Sequence, residues 1–253
     1  MLAAVGLVLR FGLPFLLGQG FKGANNSPAV ASLLPQVVNT LIICGLSVLL
    51  AMPAGVLCAV YLLFYGRGSR AAVLIEMLIS ALTAVPSAVY GLFGFLVFSQ
   101  LFSLRYSVLA GILTMAVMIF SVAVGTAQAA LGAVDGNLPL AALALGATKA
   151  EVMTGVLFSA ARGGLISAAV LCVAKTAGES AALLLTSGVG RAMPTQGWLR
   201  YLASSGATLA VGLYQSVLEG EIAAAFGSAV LLLLFIAACS LLSQVFLHRK
   251  GGR

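Results

Sequence analysis

Two ionisable side chains, Lys175 and Glu179, lie inside a stretch that is otherwise apolar, from Leu171 to Gly188. Placing an ionisable group at membrane depth costs about 2.5–3.5 kcal/mol on insertion scales, so such groups usually have a partner or a function. If the stretch is one helix, the four-residue spacing puts both side chains on one face, close enough to form an ion pair. Two roles fit this arrangement: a neutralised pair that stabilises helix packing, or a pair that lines a path through the membrane.

Hydroxyl side chains accompany the pair along the same stretch. Thr176 and Ser180 follow the two charged residues directly, and Thr186 and Ser187 lie further along. Hydroxyls on transmembrane helices often donate to their own backbone. They are therefore candidate donors to a passing ion, with backbone bonding as the alternative.

The composition shows what must surround these residues. The chain has 253 residues, of which 62% are hydrophobic and only 8% are charged. Soluble domains carry about 25% charged residues, so the low charge predicts an integral membrane protein. Its apolar runs, which are long enough to cross a bilayer as helices, predict that it is all-α. The net charge of +7 does not indicate nucleic acid, because the basic residues stand singly between apolar runs. The four cysteines form no CxxC pair, and we expect neither a metal site nor a cofactor.

Apolar runs long enough to cross a bilayer as helices, which takes about 20 residues, predict the transmembrane segments. They lie at residues 37–64, 72–100, 107–130, 163–187 and 223–247. A shorter run at 1–18 is interrupted by Arg10, and we interpret it as a first transmembrane helix whose true start is left open. The sequence thus predicts about six transmembrane helices in a single domain over residues 1–253.

The distribution of basic residues predicts the orientation of these segments. With six crossings, Arg67, Arg70, Lys149, Arg162, Arg249, Lys250 and Arg253 fall on one side and Lys22, Arg105, Arg191 and Arg200 on the other. Loops rich in Lys and Arg stay in the cytoplasm. We therefore expect the turn at 66–70 and the loop at about 131–162 to be cytoplasmic.

The loop at 131–162 has a helical pattern of its own. Residues 138–162 are rich in Ala and Leu in their first half, and the pattern breaks at Gly146. A helix with an apolar face that is too short to span a membrane should dock on something. It is either an interfacial helix on the membrane surface or a docking helix for a cytoplasmic partner.

Pro86 predicts a break in the second long apolar run. Ser87 and Tyr90 follow it directly. Proline removes a backbone hydrogen bond and kinks a helix. The kink has two interpretations: it sets the packing of the helix, or it is a hinge or gate element.

Sequences for nucleotide or metal chemistry are absent. The chain has no GxxxxGK[ST] and no HExxH sequence, and its one histidine, His248, lies in the basic tail. Energy for any transport must therefore come from another chain or from an ion gradient. An intramembrane enzyme remains an alternative, but Glu179 lacks the second group or nucleophile that such chemistry needs.

Four segments resemble, in the correct order, the PstA type of permease subunit of the phosphate ABC importer. Residues 174–188, AKTAGESAALLLTSG, resemble its signature of an Arg, Gly-Glu-Thr-Ala-Pro and Leu-Leu-Leu-Thr-Gly. Residues 84–94 resemble its VPS-x-VYGLFG segment, residues 141–148 its cytoplasmic "EAA" loop, and residues 208–214 its TLPVQIY segment. The resemblance covers the chain from about residue 8 to the C-terminus.

This resemblance implies a fold, a function and partners. The fold is that of a type I ABC importer permease, which is MetI-like, and the location is the bacterial inner membrane. The function implied is to form the path for inorganic phosphate, with ATP hydrolysed on a separate chain. The partners implied are a PstC-like second permease, a PstB-like ATPase dimer, a PstS-like phosphate-binding protein and membrane lipid, with no nucleic acid.

The resemblance also implies roles for individual residues. The substrate path is implied at Lys175, Glu179, Thr176 and Ser180. Coupling to the ATPase is implied at Ala141, Ala142, Gly146 and Ala147. The gate or kink is implied at Pro86, Ser87 and Tyr90.

Five positions depart from the family pattern. Leu140 stands at the glutamate of the EAA loop, and Phe158-Ser159 replaces a later Leu-Pro. Lys175 replaces the family's arginine, and Ala182 replaces its proline. Lysine keeps the charge but loses the two-pronged contact that suits phosphate oxygens. These departures leave two alternatives: a permease of a related importer for another oxyanion or metabolite, and a permease-like scaffold that does not transport.

Overall fold

The structure is a computed structural model that describes residues 2–18, 33–66 and 68–248. Eleven α-helices lie in these ranges, and three of them include π-helical turns at Tyr61–Tyr65, Phe95–Leu101 and Val152–Leu157. The helices are α1 (Leu2–Gly18), α2 (Leu33–Tyr65), α3 (Arg70–Ala84), α4 (Ser87–Leu101), α5 (Val108–Gly132), α6 (Asn137–Ala144), α7 (Lys149–Ala177), α8 (Ala181–Thr186), α9 (Trp198–Leu202), α10 (Leu209–Leu218) and α11 (Ile222–His248). The described residues contain no strand, so the prediction of an all-α protein is confirmed.

Helices long and apolar enough to cross a membrane correspond to the predicted runs. Among the described residues, four pass on length and composition (α2, α5, α7 and α11), and the bent pair α3–α4 makes a fifth if it is counted as one span. The run predicted at 1–18 is helix α1, whose 17 residues cover only about 26 Å at 1.5 Å per residue. The expected count of about six is consistent with these helices.

The segment predicted as one helix over 163–187 is not one helix. Helix α7 begins earlier, at Lys149, and ends at Ala177; a separate helix, α8, begins at Ala181. The mean hydropathy of the run at 163–187 does not indicate this break, because the segments on both sides of it are mainly apolar. The early start of α7 also shortens the loop predicted at 131–162, whose last residues are helical.

Both backbone breaks predicted from Pro86 and Gly146 are confirmed. Helix α3 ends at Ala84 and α4 begins at Ser87, with Pro86 between them in an extended conformation (φ −59°, ψ 143°). Helix α6 ends before Gly146, whose φ of +89° is a conformation that favours glycine.

The chain divides into two compact units. Unit 1 comprises Met1–Ser47, Val85–Met118 and Val173–Ala238, and unit 2 comprises Val48–Ala84, Ile119–Cys172 and Cys239–Arg253. Four helices, α2, α5, α7 and α11, contribute residues to both units. The division therefore does not decide whether the chain is a single domain, which stays a prediction.

Close helix contacts build unit 1. Leu16, Leu33 and Val230 form a buried cluster that joins α1, α2 and α11. Glycine permits a similarly close contact between α5 and the end of α8, because a Cβ at Gly111 would lie 2.9 Å from the Cβ of Ser187.

Unit 2 has its own apolar core. It consists of buried side chains from α2, α3, α5 and α7: Ala59, Val60, Leu62, Ala72, Val124, Ala127, Leu131, Met153, Leu157 and Ala161. Alanine and glycine dominate the contact between α5 and α7, where a Cβ added at Gly164 would lie 2.9 Å from the Cβ of Ala130. The small side chains let the two helices approach closely.

Part of the charge pattern lies outside the described residues. Lys22, Arg67, Arg249, Lys250 and Arg253 are among the residues that the structure does not describe, as is the polar segment from residue 19 to 32. The cytoplasmic assignment of the turn at 66–70 and of the 131–162 loop stays a prediction.

Candidate functional site

The break between α7 and α8 carries the two charged residues of the apolar stretch. The last turn of α7 tightens: the Gly178 amide donates to the Lys175 carbonyl at 3.3 Å, and the Glu179 amide donates to the Thr176 carbonyl at 3.2 Å. Ser180 then starts α8, accepting at its carbonyl from the Leu184 amide at 2.8 Å. Non-helical backbone at Gly178–Ser180 therefore separates two helices within the apolar stretch.

The spacing of Lys175 and Glu179 predicted an ion pair on one helix face, and this prediction is wrong. Lys175 lies in the last turn of α7, whereas Glu179 lies beyond the end of that helix. No ion pair within 4.0 Å and no side-chain hydrogen bond joins them. The Lys175 side chain is exposed, and those of Glu179 and Ser180 are half-buried. The lysine is thus not neutralised by this glutamate.

Thr176 differs from the other predicted path residues because it is fully buried. The hydroxyl of Thr186, at the end of α8, is also buried and donates to the Ala182 carbonyl at 2.8 Å. This is the backbone bonding that transmembrane hydroxyls commonly make. Only Ser180, of the two predicted hydroxyls, is partly accessible beside the two charges.

Helix α4, which follows the Pro86 break, packs directly on α8. A Cβ at Gly91 would lie 2.8 Å from the Cα of Ala182 and 3.2 Å from the carbonyl oxygen of Ala181. Ala182 is fully buried, so the family's proline position is here a site of close helix contact. The helix that begins at the predicted gate therefore packs on the helix that follows the charged break.

The three predicted gate residues differ in burial. Tyr90 is buried, with 6% of its surface exposed. Ser87 is half-buried, and Pro86 is exposed. Tyr90 therefore belongs to the packed part of α4, while Pro86 lies at its accessible end.

Helix α6 and the turn after it carry the residues predicted to couple to an ATPase. Ala141 and Gly146 are exposed, and Ala142 and Ala147 are half-buried. The prominent feature of this segment is leucine: the exposed fractions are 48% at Leu138, 64% at Leu140, 41% at Leu143 and 90% at Leu145. An apolar surface of this kind is typical of a contact site.

Helix α6 packs against the first turns of α7. A capping box begins α7 directly after the turn at Gly146: the Glu151 amide donates to the Thr148 hydroxyl at 3.3 Å, and the Thr148 amide donates to the Glu151 carboxylate at 2.7 Å. Between α6, α7 and the end of α2 lies a small, mainly apolar cavity of about 140 Å³. The contact with α7 thus holds α6 on unit 2.

A buried polar network that the sequence did not reveal fastens the segment after α8. The Tyr201 hydroxyl donates to Asn39 Oδ1 at 2.7 Å, and Asn39 Nδ2 donates to the Ala207 carbonyl at 3.2 Å. The Thr40 hydroxyl accepts from the Leu209 amide at 2.9 Å. Burial raises the pKa of Tyr201 to about 12, so its hydroxyl keeps its proton at neutral pH.

Asn39 and Gly91 could have been noticed in the sequence. Asn39 is an amide inside the first long apolar run, where a polar group needs a partner, but nothing local indicates that the partner is Tyr201. Gly91 lies in the resemblance segment, where a glycine permits close helix approach, but nothing local indicates which helix approaches it. Both become informative only once the helices are packed.

In the part of the chain that the structure describes, no three His, Cys, Asp or Glu residues come together as metal ligands. The arrangement offers instead an exposed ammonium, a half-buried carboxylate and a hydroxyl around non-helical backbone. Such groups can contact and release an ion.

Comparisons with known proteins show what the chain is similar to. Residues 51–250 match the family "Binding-protein-dependent transport system inner membrane component". The chain is 30% identical to the phosphate transport system permease protein PstA of Haemophilus influenzae over 243 residues, covering 94% of this chain and 84% of that protein. It is 29% identical to PstA of Pasteurella multocida over 237 residues, covering 92% and 80%.

The fold is also similar to that of a solved structure. A chain of the MetNI methionine ABC transporter, solved in inward-facing conformations, matches with a TM-score of 0.70 and 18% identity. The match covers 89% of this chain and 99% of that chain. At this identity the likeness shows the fold alone, and that fold is the MetI-like one.

Proposed function

Because the chain belongs to the family of binding-protein-dependent transport system inner membrane components, we propose that it is the permease subunit of an ATP-driven phosphate importer. The chain forms part of the translocation path in the inner membrane and does no covalent chemistry. Its partners are a PstC-like second permease, a PstB-like ATPase dimer that hydrolyses ATP, and a PstS-like binding protein. The two PstA relatives, which match nearly the whole chain, support phosphate as the substrate.

The observation that carries the proposal is the exposed charge at the α7–α8 break. Non-helical backbone at membrane depth is tolerated only where it is buried in protein or lines a water-filled cavity. Lys175 and Gly178 are exposed in this chain, so lipid is excluded as their neighbour. The neighbour of Lys175 and Gly178 is therefore water in the path or the second permease chain across the path.

The charges at the break suit an anion that must pass without being held. A phosphate dianion cannot enter hydrocarbon, so the path must supply positive charge. Lys175 supplies an ammonium that no side chain of the described residues neutralises within 4.0 Å. Glu179, half-buried nearby in sequence, adds negative charge that limits the residence of the anion, and Ser180 adds a hydroxyl. Conduction requires binding that is favourable but weak.

Helices α4 and α6 have separate tasks in this proposal. Helix α4, which begins directly after Pro86 and packs on α8, transmits gate movement to the charged break. Helix α6 carries Ala141, Ala142 and three exposed leucines into the ATPase, and Leu145, Gly146 and Ala147 form the turn behind it.

Another oxyanion is the second candidate substrate, and one residue favours it. The family's arginine presents a planar fork that binds phosphate oxygens in pairs, whereas Lys175 is a compact point charge. A point charge discriminates poorly among tetrahedral oxyanions.

Radiolabelled uptake in cells whose phosphate import depends on this chain tests the proposal. We expect Lys175→Ala to lower phosphate uptake at least tenfold and Lys175→Arg to retain it, with equal membrane levels. Arg10→Ala is the matched control, because Arg10 is an exposed cation on α1 and is not a predicted path residue. Normal uptake by Lys175→Ala would show that the lysine is structural only. Competition by sulfate or molybdate as strong as that by phosphate would favour the second candidate.

A further inference from the structure

Among the residues that the structure describes, Glu76 is the one carboxylate in the interior of a regular helix. The chain has six acidic residues. Asp135 lies in a turn, Glu151 closes a capping box, Glu179 lies at a helix break, and Glu219 and Glu221 flank the turn between α10 and α11. Glu76 is six residues into α3, which starts at Arg70. No local backbone feature accounts for it.

The surroundings of Glu76 are apolar but exposed. Ala72, Ile75 and Ile79 turn toward the core of unit 2. On the rest of the helix, Leu74 and Met77 are 58% and 65% exposed. Helix α3 belongs to the bent pair that qualifies as a membrane span, so this surface faces either lipid or another membrane chain.

Glu76 begins a polar stripe along α3. Ser80 and Thr83 follow at i+4 and i+7, which places all three on one side of the helix, and all three are exposed. The Thr83 hydroxyl donates to the Ile79 carbonyl at 2.9 Å. The Glu76 side chain makes no hydrogen bond or ion pair with any residue that the structure describes.

Lipid and an anion path both fit this stripe poorly. An ionised carboxylate facing hydrocarbon is costly, and intramembrane carboxylates almost always pair or face a bundle interior. A carboxylate that lined a path for an anion would repel that anion. A cation on a neighbouring membrane helix satisfies the charge and also covers the apolar flanks.

We propose that Glu76, Ser80 and Thr83 form a contact surface for a transmembrane helix of the second permease chain, which places a lysine or arginine against Glu76. This inference rests on the proposed function, since it requires a second permease. Ser80 and Thr83 supply hydroxyls to the same helix, and Val73 and Met77 supply apolar contact beside them. The surface belongs to unit 2 and is distinct from the break at Lys175.

Co-purification tests the contact. The tagged chain is expressed with its second permease and extracted in mild detergent. We expect Glu76→Lys to reduce the recovered second permease at least tenfold at unchanged membrane level, because it sets two cations against each other, and Glu76→Gln to reduce it less. Glu219→Lys is the matched control, since Glu219 is an exposed carboxylate in the turn after α10. Full recovery with Glu76→Lys would overturn the inference.

A chemical readout keeps the inference testable if Glu76→Lys does not accumulate. Dicyclohexylcarbodiimide modifies carboxyl groups in apolar surroundings, and labelling that Glu76→Gln removes is assigned to Glu76. We expect Glu76 to be labelled in the chain expressed alone and protected when the second permease is present. Equal labelling in both states would overturn the contact.

Two further outcomes separate this inference from the proposed function. If no second membrane chain is recovered with the unsubstituted protein, the proposed function fails. If it is recovered but S80C in a cysteine-free background reacts in the complex with a water-soluble thiol reagent, the stripe faces an aqueous path, and only this inference fails.

Discussion

At the residue scale, Asn39 ties the segment after α8 to helix α2. Its amide accepts from Tyr201 and donates to the Ala207 carbonyl, across sequence separations of 162 and 168 residues. Both residues are buried: Asn39 has no exposed surface, and only 2% of the surface of Tyr201 is exposed. Removing one partner of such a bond leaves the other polar atom without a donor, which costs more than the bond itself contributes.

Tyr201→Phe should therefore destabilise the protein while conserving its shape. We expect a loss of about 1–3 kcal/mol of folding free energy, because Asn39 Oδ1 loses its donor in a buried position. Thermal unfolding of the purified protein in detergent measures the change. Tyr214→Phe is the matched control, since Tyr214 is 45% exposed and should change stability little. An unchanged unfolding temperature for Tyr201→Phe would mean that water replaces the hydroxyl.

Residue types predicted the charged site only in part. Lys175 and Glu179 stand out because ionisable groups are rare in apolar runs, and this drew attention to the stretch in which the helix breaks. Their geometry was wrong, because a four-residue spacing implies one helix face only where the helix is continuous. Gly178 was the available sign of a break, but a single glycine inside an apolar run is also common in unbroken transmembrane helices.

At the element scale, hydropathy located the long helices well and their ends less well. The apolar runs correspond to α2, α5, α11 and the α3–α4 pair, because backbone in a membrane must be helical and its side chains apolar. Proline and glycine marked the breaks at Pro86 and Gly146. The packing of α4 on α8 could not be predicted, since it joins residues about 90 positions apart and depends on Gly91 meeting Ala182.

Gly91→Ala should separate α4 from α8. The added Cβ would lie 2.8 Å from the Ala182 Cα, a backbone atom that cannot rotate away. We expect a loss of about 1–3 kcal/mol of stability, as for overpacking in other cores, and reduced uptake. Unfolding temperature and uptake are the measurements.

Gly45→Ala is the control for this change, because no heavy atom beyond its chain neighbours and its own helix backbone lies within 4 Å of the Cβ position at Gly45. Alanine is favoured over glycine in a helix interior by about 1 kcal/mol, so this variant should be as stable as the unsubstituted protein or more so. If both variants behaved alike, the contact between Gly91 and Ala182 would not be tight.

At the scale of the whole molecule, the two units carry different parts of the proposed function. The charged break and the α4–α8 contact lie in unit 1, whereas α6 and the Glu76 surface lie in unit 2. Lys175, Leu140 and Glu76 are exposed, whereas the α4–α8 contact is buried. The sequence alone predicted both sets of roles through resemblance, but not Glu76, because one carboxylate in a long apolar run barely changes its mean hydropathy.

If the ATPase binds helix α6, this helix couples ATP hydrolysis to transport. The family's glutamate is absent, and Leu140 stands in its place with 64% of its surface exposed; Leu145 is 90% exposed. The contact should therefore be apolar. Burying a leucine side chain contributes about 1.5–3 kcal/mol, and 1.4 kcal/mol corresponds to about tenfold in affinity.

Replacing Leu140 and Leu145 together with serine should lower the ATPase recovered with the complex at least tenfold and lower uptake with it. The stability of the chain itself should change little, because these side chains are largely exposed. Leu199→Ser is the matched control: Leu199 is 86% exposed but lies on α9, which belongs to unit 1. Because salt screens charge pairs and not apolar contacts, the unsubstituted complex should keep its ATPase at high salt. Loss of the ATPase at high salt, or its full retention by the double variant, would show that charged groups elsewhere make the contact.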